Sequence, residues 1–427
     1  MLVESLSAQT SDTLIKKINA NRTWVESATK KAIPISSIKS DDFSDLMFLK
    51  EYISDKKIVF LGESLHGVND FNVLKYRLIR FLHQEMNFNI IAFESGVHEC
   101  SLTNLVKDSL NSHEIVAQSL KVIWWVNSNC EMMRYIKSNS MDIAGIDPNN
   151  VTFPLKINHY LNIFKGEKEL AKKMYLLDSL DSKYKIRRTK YYYEKGEDIE
   201  TATSLDSIRK KLLPQYISLK NEIIENKNIN HQYKLVLKEA IDSKLNELSC
   251  SNSSKKDVES FFVTYEKRDS LMAENLEFLI DSLYPNQKII VWAHNAHISK
   301  KGQDIVMNKG VSIGMYLKNR LKKESYVIAI DGWGGNYSLG LKKKQFHKPK
   351  RKSLEAVLYN VPYRTFFLPV VFDTKKKEDD WLTKPIIENF NSYKNNVIKD
   401  KYDAIFFTKK TIESKLINYY KTPLNCD

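Results

Sequence analysis

The chain has 427 residues, of which 42% are hydrophobic and 28% are charged. This composition excludes a disordered or collagen-like protein and allows a large buried core. No apolar stretch approaches the roughly 18 residues that span a bilayer, and the N-terminus has no secretory signal pattern. The four cysteines are scattered, so neither a disulfide framework nor a cysteine-rich zinc site is expected. These features predict a cytoplasmic protein.

The formal net charge is +14, from 66 basic and 52 acidic residues. Such an excess permits binding to nucleic acids or other polyanions. However, the basic residues are 55 lysines and only 11 arginines, and bidentate contacts to phosphate and guanine favour arginine. The densest basic run, residues 342–352, is therefore expected to be a solvated loop, with a polyanion site as the alternative.

Short apolar runs rich in strand-forming residues predict buried parallel strands. The first run is followed by a helix with apolar residues on one face, for which Asn69 or Asp70 is the expected cap. Two helices are expected between the second and third strands. The predicted strands are residues 58–61, 90–93, 143–146, 289–292, 326–330, 365–371 and 404–407.

Residues 151–285 differ from the rest because they are polar, rich in Lys and Glu, and helical in spacing. We interpret them as a largely helical insertion between two parts of an α/β core, residues 40–150 and 286–427. The alternation of strands and helices elsewhere predicts an α/β fold with a mostly parallel sheet flanked by helices. The whole chain, residues 1–427, is predicted to form a single unit.

Polar side chains directly follow four of the predicted strands. They are Glu63 with His66, then Glu94, then Asp147, and finally His294 with His297. Because ligands of open α/β sheets bind outside the carboxyl ends of the strands, we expect these side chains to share one cleft. Four strand ends of this kind predict an active site rather than isolated buried polar groups.

The first strand end carries a candidate general base. Residues 62–67 begin and end with glycine, which allows a tight turn that presents His66 near the start of the next helix. An imidazole can take a proton from water near neutral pH, and Glu63 or Glu94 could orient it. The alternative is a structural turn histidine. A Ser64 nucleophile is disfavoured, because its spacing to the following glycine is one residue longer than in the nucleophile elbow.

His294 and His297 are three positions apart, so they would share a face on a helical turn. With Glu63 or Glu94 they match a metal site in ligand type, although the spacing is not that of H-E-x-x-H. The leading interpretation is a metal-free catalytic cluster that holds a substrate oxyanion. A metal site and a buried structural pair are the alternatives.

Two pairs of sequence neighbours have structural rather than catalytic interpretations. Trp124 and Trp125 are expected in the core or in the wall of an apolar pocket, rather than in a nucleic-acid stacking platform. Arg268 and Asp269 stand in a helical run, where a structural ion pair is expected.

The motifs at these strand ends resemble those of the erythromycin esterase family in order and separation. Each motif is weak alone, but the combination is specific and extends over roughly residues 40–335. The motifs are Gly62-Glu63-x-x-His66-Gly67, Phe93-Glu94-x-Gly96, Gly145-x-Asp147, Arg268-Asp269-x-x-Met272-Ala273-Glu274-Asn275, Trp292-Ala293-His294-Asn295-Ala296-His297 and Gly314-x-x-Leu317.

The resemblance implies an α/β core with helical additions and a hydrolase that opens the lactone ring of macrolides, an antibiotic-resistance activity. It implies that no metal or other cofactor is needed and that Ser64 is not the nucleophile. It also implies a basic residue at the site, at Lys75 or Arg77. The catalytic residues would be His66 as the general base, surrounded by Glu63, Glu94, His294 and His297. Apart from what the resemblance implies, the residues that we expect to contact substrate are Lys75, Arg77, Asp147, Trp124 and Trp125.

The sequence therefore predicts a metal-independent hydrolase that cleaves a carboxylic ester in a large apolar lactone. His66 would activate water, and His294 or His297 would stabilise the oxyanion. The alternatives are a metal-dependent hydrolase that uses the two later histidines, and a polyanion-binding protein on a lapsed enzyme fold. The expected partner is a small-molecule ester or macrocyclic lactone, with no membrane and no nucleic acid. The number of subunits is not predicted.

Overall fold

A computed structural model describes residues 20–149, 152–195, 202–249, 258–306, 309–339, 342–346, 349–388 and 395–417. Its centre is a sheet of eight strands in the order β1-β7-β8-β6-β2-β5-β3-β4. Neighbouring strands from β8 to β4 are parallel, whereas β1 and β8 both pair antiparallel with β7. In chain order the strands are β1 (Ile33–Pro34), β2 (Ile58–Leu61), β3 (Phe88–Gly96), β4 (Asp142–Asp147), β5 (Lys288–Trp292), β6 (Ser325–Gly332), β7 (Thr365–Pro369) and β8 (Ala404–Thr408).

All seven predicted strands are present, so the α/β fold with a mostly parallel sheet is confirmed. The apolar runs are continuous because both faces of the sheet are covered. In β2, Val59 and Leu61 enter one hydrophobic core while Ile58 and Phe60 enter the other. The two-residue strand β1 was not predicted, because so short a segment contains no pattern.

Helices cover both faces of the sheet. Asn69–Met86 contributes Phe71 and Leu74 to the first core, and Val258–Phe278 contributes Met272 to the second. Between β3 and β4 there are three α-helices where two were expected. The α-helices are Arg22–Lys31, Leu49–Ile53, Asn69–Met86, Val97–Val106, Ser112–Ser119, Asn127–Ser138, Ile157–Ile163, Lys168–Lys195, Ala202–Glu225, His231–Ser249, Val258–Phe278, Asn295–Ile298, Ile313–Tyr316, Asn319–Lys323, Leu354–Tyr359 and Asp380–Thr383.

The helix Asn69–Met86 begins without the expected cap. Its N-cap residue is Val68, and no side chain bonds to its first N–H groups. The carboxylate of Asp70 instead accepts the backbone N–H of Ile412, so the predicted capping role was wrong. At the other end, Asn87 is left-handed, with φ 60°, and its N–H bonds to the last turn, as is common at helix C-termini.

Between β4 and β5, the described residues form helices and no strand, and a π-helical turn at Leu279–Leu283 ends this region. The largely helical character predicted for it is confirmed, while 151–285 remain its proposed bounds. His98 holds these helices together, with Nε2 2.9 Å from Asp178 and Nδ1 3.2 Å from the carbonyl of Ala240. Because both partners are acceptors, His98 is an imidazolium. Burial opposes its charge, but Asp178 raises its pKa above the usual range.

Part of the basic run predicted as a loop forms a strand instead. Lys342–Gln345 pairs antiparallel with Asn336–Leu339, and the side chains of the three lysines are exposed. Other short antiparallel pairs join Gln303–Val306 to Lys309–Val311 and Ile386–Ile387 to Asn395–Asn396.

The structure also bears on the membrane and disulfide predictions. None of the described helices is both long and apolar enough to cross a bilayer. Cys100 and Cys130 are buried and are not joined in a disulfide. Cys250 and Cys426 lie outside the described residues.

Candidate active site

The carboxyl ends of β6, β2, β5, β3 and β4 lie side by side, which brings the residues after them to one edge of the sheet. Backbone groups join neighbouring strand ends there. The N–H of His294 donates to Oε2 of Glu94 at 2.8 Å, and the N–H of Asn295 donates to the carbonyl of Glu63 at 2.8 Å. The end of β6 adds Asp331, which the sequence analysis did not select.

The turn after β2 requires both of its glycines. Gly67 has φ 81°, and a Cβ there would lie 2.0 Å from the carbonyl oxygen of Ser338. A Cβ at Gly62 would lie 1.9 Å from Oδ1 of Asn295. The tight turn expected from the sequence is therefore present, and it places His66 at the edge of the sheet.

Glu63 is the centre of the contacts around His66. It is 1% exposed and accepts three hydrogen bonds. Oε1 accepts from Nδ1 of His66 at 2.6 Å and from Nε1 of Trp124 at 2.9 Å, and Oε2 accepts from Nζ of Lys75 at 2.7 Å. Burial would raise the pKa of Glu63, but the Lys75 ammonium and the His66 hydrogen bond hold it at about 2.

This arrangement fixes the tautomer of His66. Because the Glu63 carboxylate is ionised, Nδ1 of His66 carries the proton and Nε2 keeps its lone pair. The side chain of His66 is 35% exposed, so water can reach the ring. His66 therefore has the geometry of a general base oriented by a carboxylate.

The two candidate basic residues on the following helix have different partners. Lys75 is fully buried, with Nζ 3.8 Å from the centre of the Trp292 ring, and burial lowers its pKa to about 8. It supports Glu63 from a fully buried position, and its contact with substrate stays a prediction. Arg77 lies outside the cluster and holds the carbonyl of Ser37 and the carboxylate of Asp45. Residues two positions apart on a helix do not share a face.

The two tryptophans also have separate roles, and neither lines an open pocket because each is 1% exposed. Trp124 bonds to Glu63, and its ring meets that of His66 edge-on at 5.7 Å between centroids. Trp125 packs elsewhere, with its indole N–H donating to the carbonyl of Leu120 and its ring stacked on Phe153. The core position expected for both tryptophans is therefore present, and their contact with substrate stays a prediction.

His294 lies beside His66, with 4.9 Å between ring centroids, but both of its nitrogens are engaged. Nε2 donates to the carbonyl of Ser64 at 3.0 Å, and Nδ1 accepts the N–H of Ala296 at 3.1 Å. The ring is therefore neutral, and burial lowers its pKa to about 3. It has no free N–H for an oxyanion and no free lone pair for a metal.

Two cations occupy the space between the carboxylates of β3 and β4. Nη2 of Arg268 lies 2.7 Å from Glu94, and Nε lies 3.0 Å from Asp147. Lys121 contacts Asp147 and lies 3.6 Å from Glu94. Asp147 thus binds these two cations within the protein, and its contact with substrate stays a prediction. Burial would raise the pKa of both carboxyls, but nearby cations, including Lys121 and Arg268, hold that of Glu94 well below its usual value and lower that of Asp147.

His297 and Asp269 form a second carboxylate–histidine pair. Nδ1 of His297 donates to Oδ1 of Asp269 at 2.6 Å, and Nε2 accepts from Nη1 of Arg268 at 3.0 Å. The predicted ion pair between Arg268 and Asp269 was therefore wrong, because adjacent helical residues point in different directions. Arg268 was in a motif, whereas Lys121 follows no strand and no pattern indicated it.

Groups of side chains that could bind a metal ion are relevant to the alternative of a metal-dependent hydrolase. In the parts of the chain that the structure describes, one group of three acidic or histidine ligand atoms is close enough to share an ion, at Glu99, Asp181 and Glu247. Lys244 already contacts these carboxylates at 2.7, 3.0 and 3.1 Å, respectively. This group lies among the helices, away from His294 and His297.

Comparisons with known proteins found a matching family and several relatives. The family model described as erythromycin esterase matches residues 83–411. The putative hydrolase YbfO of Bacillus subtilis (strain 168) is 26% identical, over 92% of each chain. Erythromycin esterase type II of Escherichia coli is 22% identical, over 92% of this chain and 98% of that protein.

Two solved structures show the same fold. A protein described as a succinoglycan biosynthesis protein is 21% identical, with a TM-score of 0.68 over 92% of this chain and 98% of that chain. A mutant of the erythromycin esterase EreC in its open conformation is 17% identical, with a TM-score of 0.60 over 88% and 96%. The family match covers most of the chain and supports a hydrolase with a small-molecule substrate. This chain belongs to the erythromycin esterase family.

Proposed function

We propose that this protein hydrolyses a carboxylic ester, with the lactone ring of a macrolide as its substrate class, through water activated by His66 and without a metal. One observation carries the proposal: Nδ1 of the partly exposed His66 is hydrogen-bonded to the buried Glu63 carboxylate, which leaves Nε2 as a base. General-base catalysis by a positioned imidazole contributes about 10² to 10⁴ in rate.

In the proposed reaction, Nε2 of His66 takes a proton from water as the water oxygen bonds to the ester carbonyl carbon. The carbonyl electron pair moves onto oxygen and gives a tetrahedral oxyanion. The carbon–oxygen bond to the alcohol then breaks, and the imidazolium returns its proton to the departing oxygen. The products are a carboxylic acid and an alcohol on one opened ring. Glu63 stabilises the imidazolium formed between the two steps.

We assign the stabilisation of the oxyanion to Arg268 and Lys121. The sequence had suggested His294 or His297, but their ring nitrogens are engaged with other protein groups. The side chains of Arg268 and Lys121 are 18% and 20% exposed, so neither is fully buried. Charged donors held in place by carboxylates need little reorganisation when negative charge develops on the substrate.

The charge of the site is compatible with an uncharged ester. Three of its carboxylates are balanced by three cations, Glu63 by Lys75, and Glu94 and Asp147 by Arg268 and Lys121. A fourth carboxylate, Asp269, is hydrogen-bonded to His297. The macrolide substrate class is taken from the relative named erythromycin esterase type II, while YbfO is named only as a putative hydrolase.

The test is incubation of the purified protein with a panel of macrocyclic lactones and simple esters, followed by product mass. We expect a product heavier by one water, and we expect His66→Ala to lower turnover by at least about 100-fold because the base is lost. His231→Ala, which removes an exposed histidine, is the control and should keep wild-type turnover. A folded His66→Ala protein with normal turnover contradicts the mechanism.

The metal-free part of the proposal has its own test. The ring nitrogens of His294 and His297 are all hydrogen-bonded to other protein groups. We therefore expect ester hydrolysis to be unchanged after exhaustive chelation, and elemental analysis to find no stoichiometric metal. Loss of activity that Zn²⁺ or Mn²⁺ restores would favour the metal-dependent alternative. The matched control is wild-type protein carried through the same dialysis without chelator.

A further inference from the structure

The end of β6 supplies a buried carboxylate that the proposed mechanism does not use. Asp331 is buried, and its Oδ1 accepts a hydrogen bond from Oγ of Ser64 at 2.7 Å and from the N–H of Gly332 at 2.7 Å. Ser64 is also buried and stands in the turn between Glu63 and His66. Asp331 thus contacts the active-site turn from a neighbouring strand.

Ser64 is fixed through its side chain and through both of its backbone groups. Its N–H donates to the carbonyl of Ile330 at 2.9 Å, and its own carbonyl accepts from Nε2 of His294 at 3.0 Å. His294 in turn lies against His66, with 4.9 Å between ring centroids. A continuous series of contacts therefore leads from Asp331 through Ser64 and His294 to the catalytic imidazole.

We propose that Asp331 is a positioning residue for the reaction at His66, acting through Ser64 on the His294 ring. The inference rests on the proposed function, and it assigns Ser64 a structural hydroxyl rather than a nucleophile. The Ser64–Asp331 hydrogen bond fixes the direction of the Ser64 carbonyl. That carbonyl is the acceptor of the His294 N–H, so the bond keeps the His294 ring in the orientation that packs against His66.

The kinetic test compares Ser64→Ala, Asp331→Ala and the double variant on a substrate of the wild type. Each single change should lower kcat by about 10-fold with little change in KM, because the base is misplaced while the pocket is kept. The double variant should lose no more than either single variant, because both changes break the same bond. Ser64→Thr keeps the hydroxyl and should restore most of kcat.

The matched control is Ser338→Ala, since the Ser338 hydroxyl lies 3.3 Å from the Gly67 carbonyl of the same turn. It should leave kcat unchanged. Folded Ser64→Ala and Asp331→Ala proteins with wild-type kcat overturn the inference. Losses that multiply in the double variant also overturn it, since the two residues would then act independently.

A second measurement does not depend on activity. The imidazole resonances of His66 and His294 can be assigned by NMR from His66→Ala and His294→Ala. Ser64→Ala and Asp331→Ala should both shift the His294 resonances, whereas Ser338→Ala should not. Unshifted His294 resonances overturn the inference whether or not an ester substrate is found. Shifted resonances in a protein without esterase activity would reject the proposed function and keep the link from Asp331 to His294.

Discussion

The Glu63 carboxylate is buried and remains ionised because Lys75, Trp124 and His66 all donate to it. A buried anion is tolerated in a protein only when it is paired and hydrogen-bonded. Lys75 therefore supports the orientation of His66 by pairing with Glu63, from a position that is itself fully buried. Its own burial lowers its pKa to about 8, which makes its charge sensitive to mildly alkaline pH.

We predict an alkaline limb in kcat/KM near the Lys75 pKa of about 8. Lys75 is protonated below this pH, and above it the neutral amine no longer holds the Glu63 carboxylate as an ion pair. Lys75→Arg keeps a charged group, so a folded variant should retain activity to higher pH. The measurement is the pH profile of ester hydrolysis with thermal unfolding as a check on folding. Lys50→Arg, at an exposed pair, is the control. If the alkaline limb of kcat/KM lies at the same pH in Lys75→Arg as in the wild type, Lys75 is not its origin.

At the scale of elements, the site depends on one helix that follows the helical region. Val258–Phe278 packs its apolar residues on the sheet and directs Arg268 and Asp269 towards the strand ends. The single side chain of Arg268 contacts Glu94, Asp147 and His297. The helix therefore joins three elements of the sheet edge through one guanidinium.

We predict that Arg268→Gln destabilises the protein by about 3–5 kcal/mol at pH 7, because buried carboxylates lose their partner. The pKa values of Glu94 and Asp147 are lowered in the folded protein, so the stability they contribute is present at neutral pH and lost on acidification. The destabilisation should therefore shrink below about pH 4, where the unfolded carboxyls are protonated. The measurement is the free energy of unfolding in urea, for the wild type and Arg268→Gln, at pH 7 and below about pH 4.

The control for this prediction is Arg320→Gln. Arg320 forms an exposed pair with Asp281 and Glu324, and such surface pairs contribute about 1 kcal/mol or less. An Arg268→Gln variant as stable as Arg320→Gln at neutral pH would mean that the carboxylates at the strand ends are satisfied without the guanidinium.

At the scale of the whole molecule, the net charge of +14 does not come from the balanced pairs of the candidate site. Exposed lysines contribute to it, including Lys342, Lys343 and Lys344 on a two-stranded hairpin. Of these, Lys343 pairs with Glu413. A lysine surface of this kind attracts polyanions through long-range charge and offers little bidentate recognition.

We predict only weak, salt-sensitive binding of nucleic acid. Fluorescence anisotropy with single-stranded and duplex DNA should show no submicromolar affinity at physiological salt. The affinity for DNA should fall steeply as the salt concentration rises. Replacement of Lys342, Lys343 and Lys344 by Ala should leave ester hydrolysis unchanged. Submicromolar binding at physiological salt that this triple replacement removes would favour the polyanion-binding alternative.

The elements of the sheet could be predicted because each buried parallel strand needs a continuous apolar run, and such runs end at recognisable polar residues. The helix cap at Asp70 could not, because the backbone of Ile412, far along the chain, offered a better partner for its carboxylate. Asp331 follows a predicted strand in the same way as Glu63 and Glu94, so its signal was present in the sequence. Lys121 had no such signal, because tertiary packing alone brings it to Asp147.

By itself, the sequence determined which strand ends carry the carboxylates and histidines, and hence that they meet at one edge. The tertiary structure decided which of them are free to act. In the described part of the chain, His66 keeps a partly exposed ring whose Nε2 is not hydrogen-bonded, whereas both nitrogens of His294 are bound to backbone groups. It also separated Lys75 from Arg77, which point in different directions from one helix. The physical reason is that residue type and spacing define what a side chain can donate or accept, but only its neighbours in space determine which of those bonds are already made.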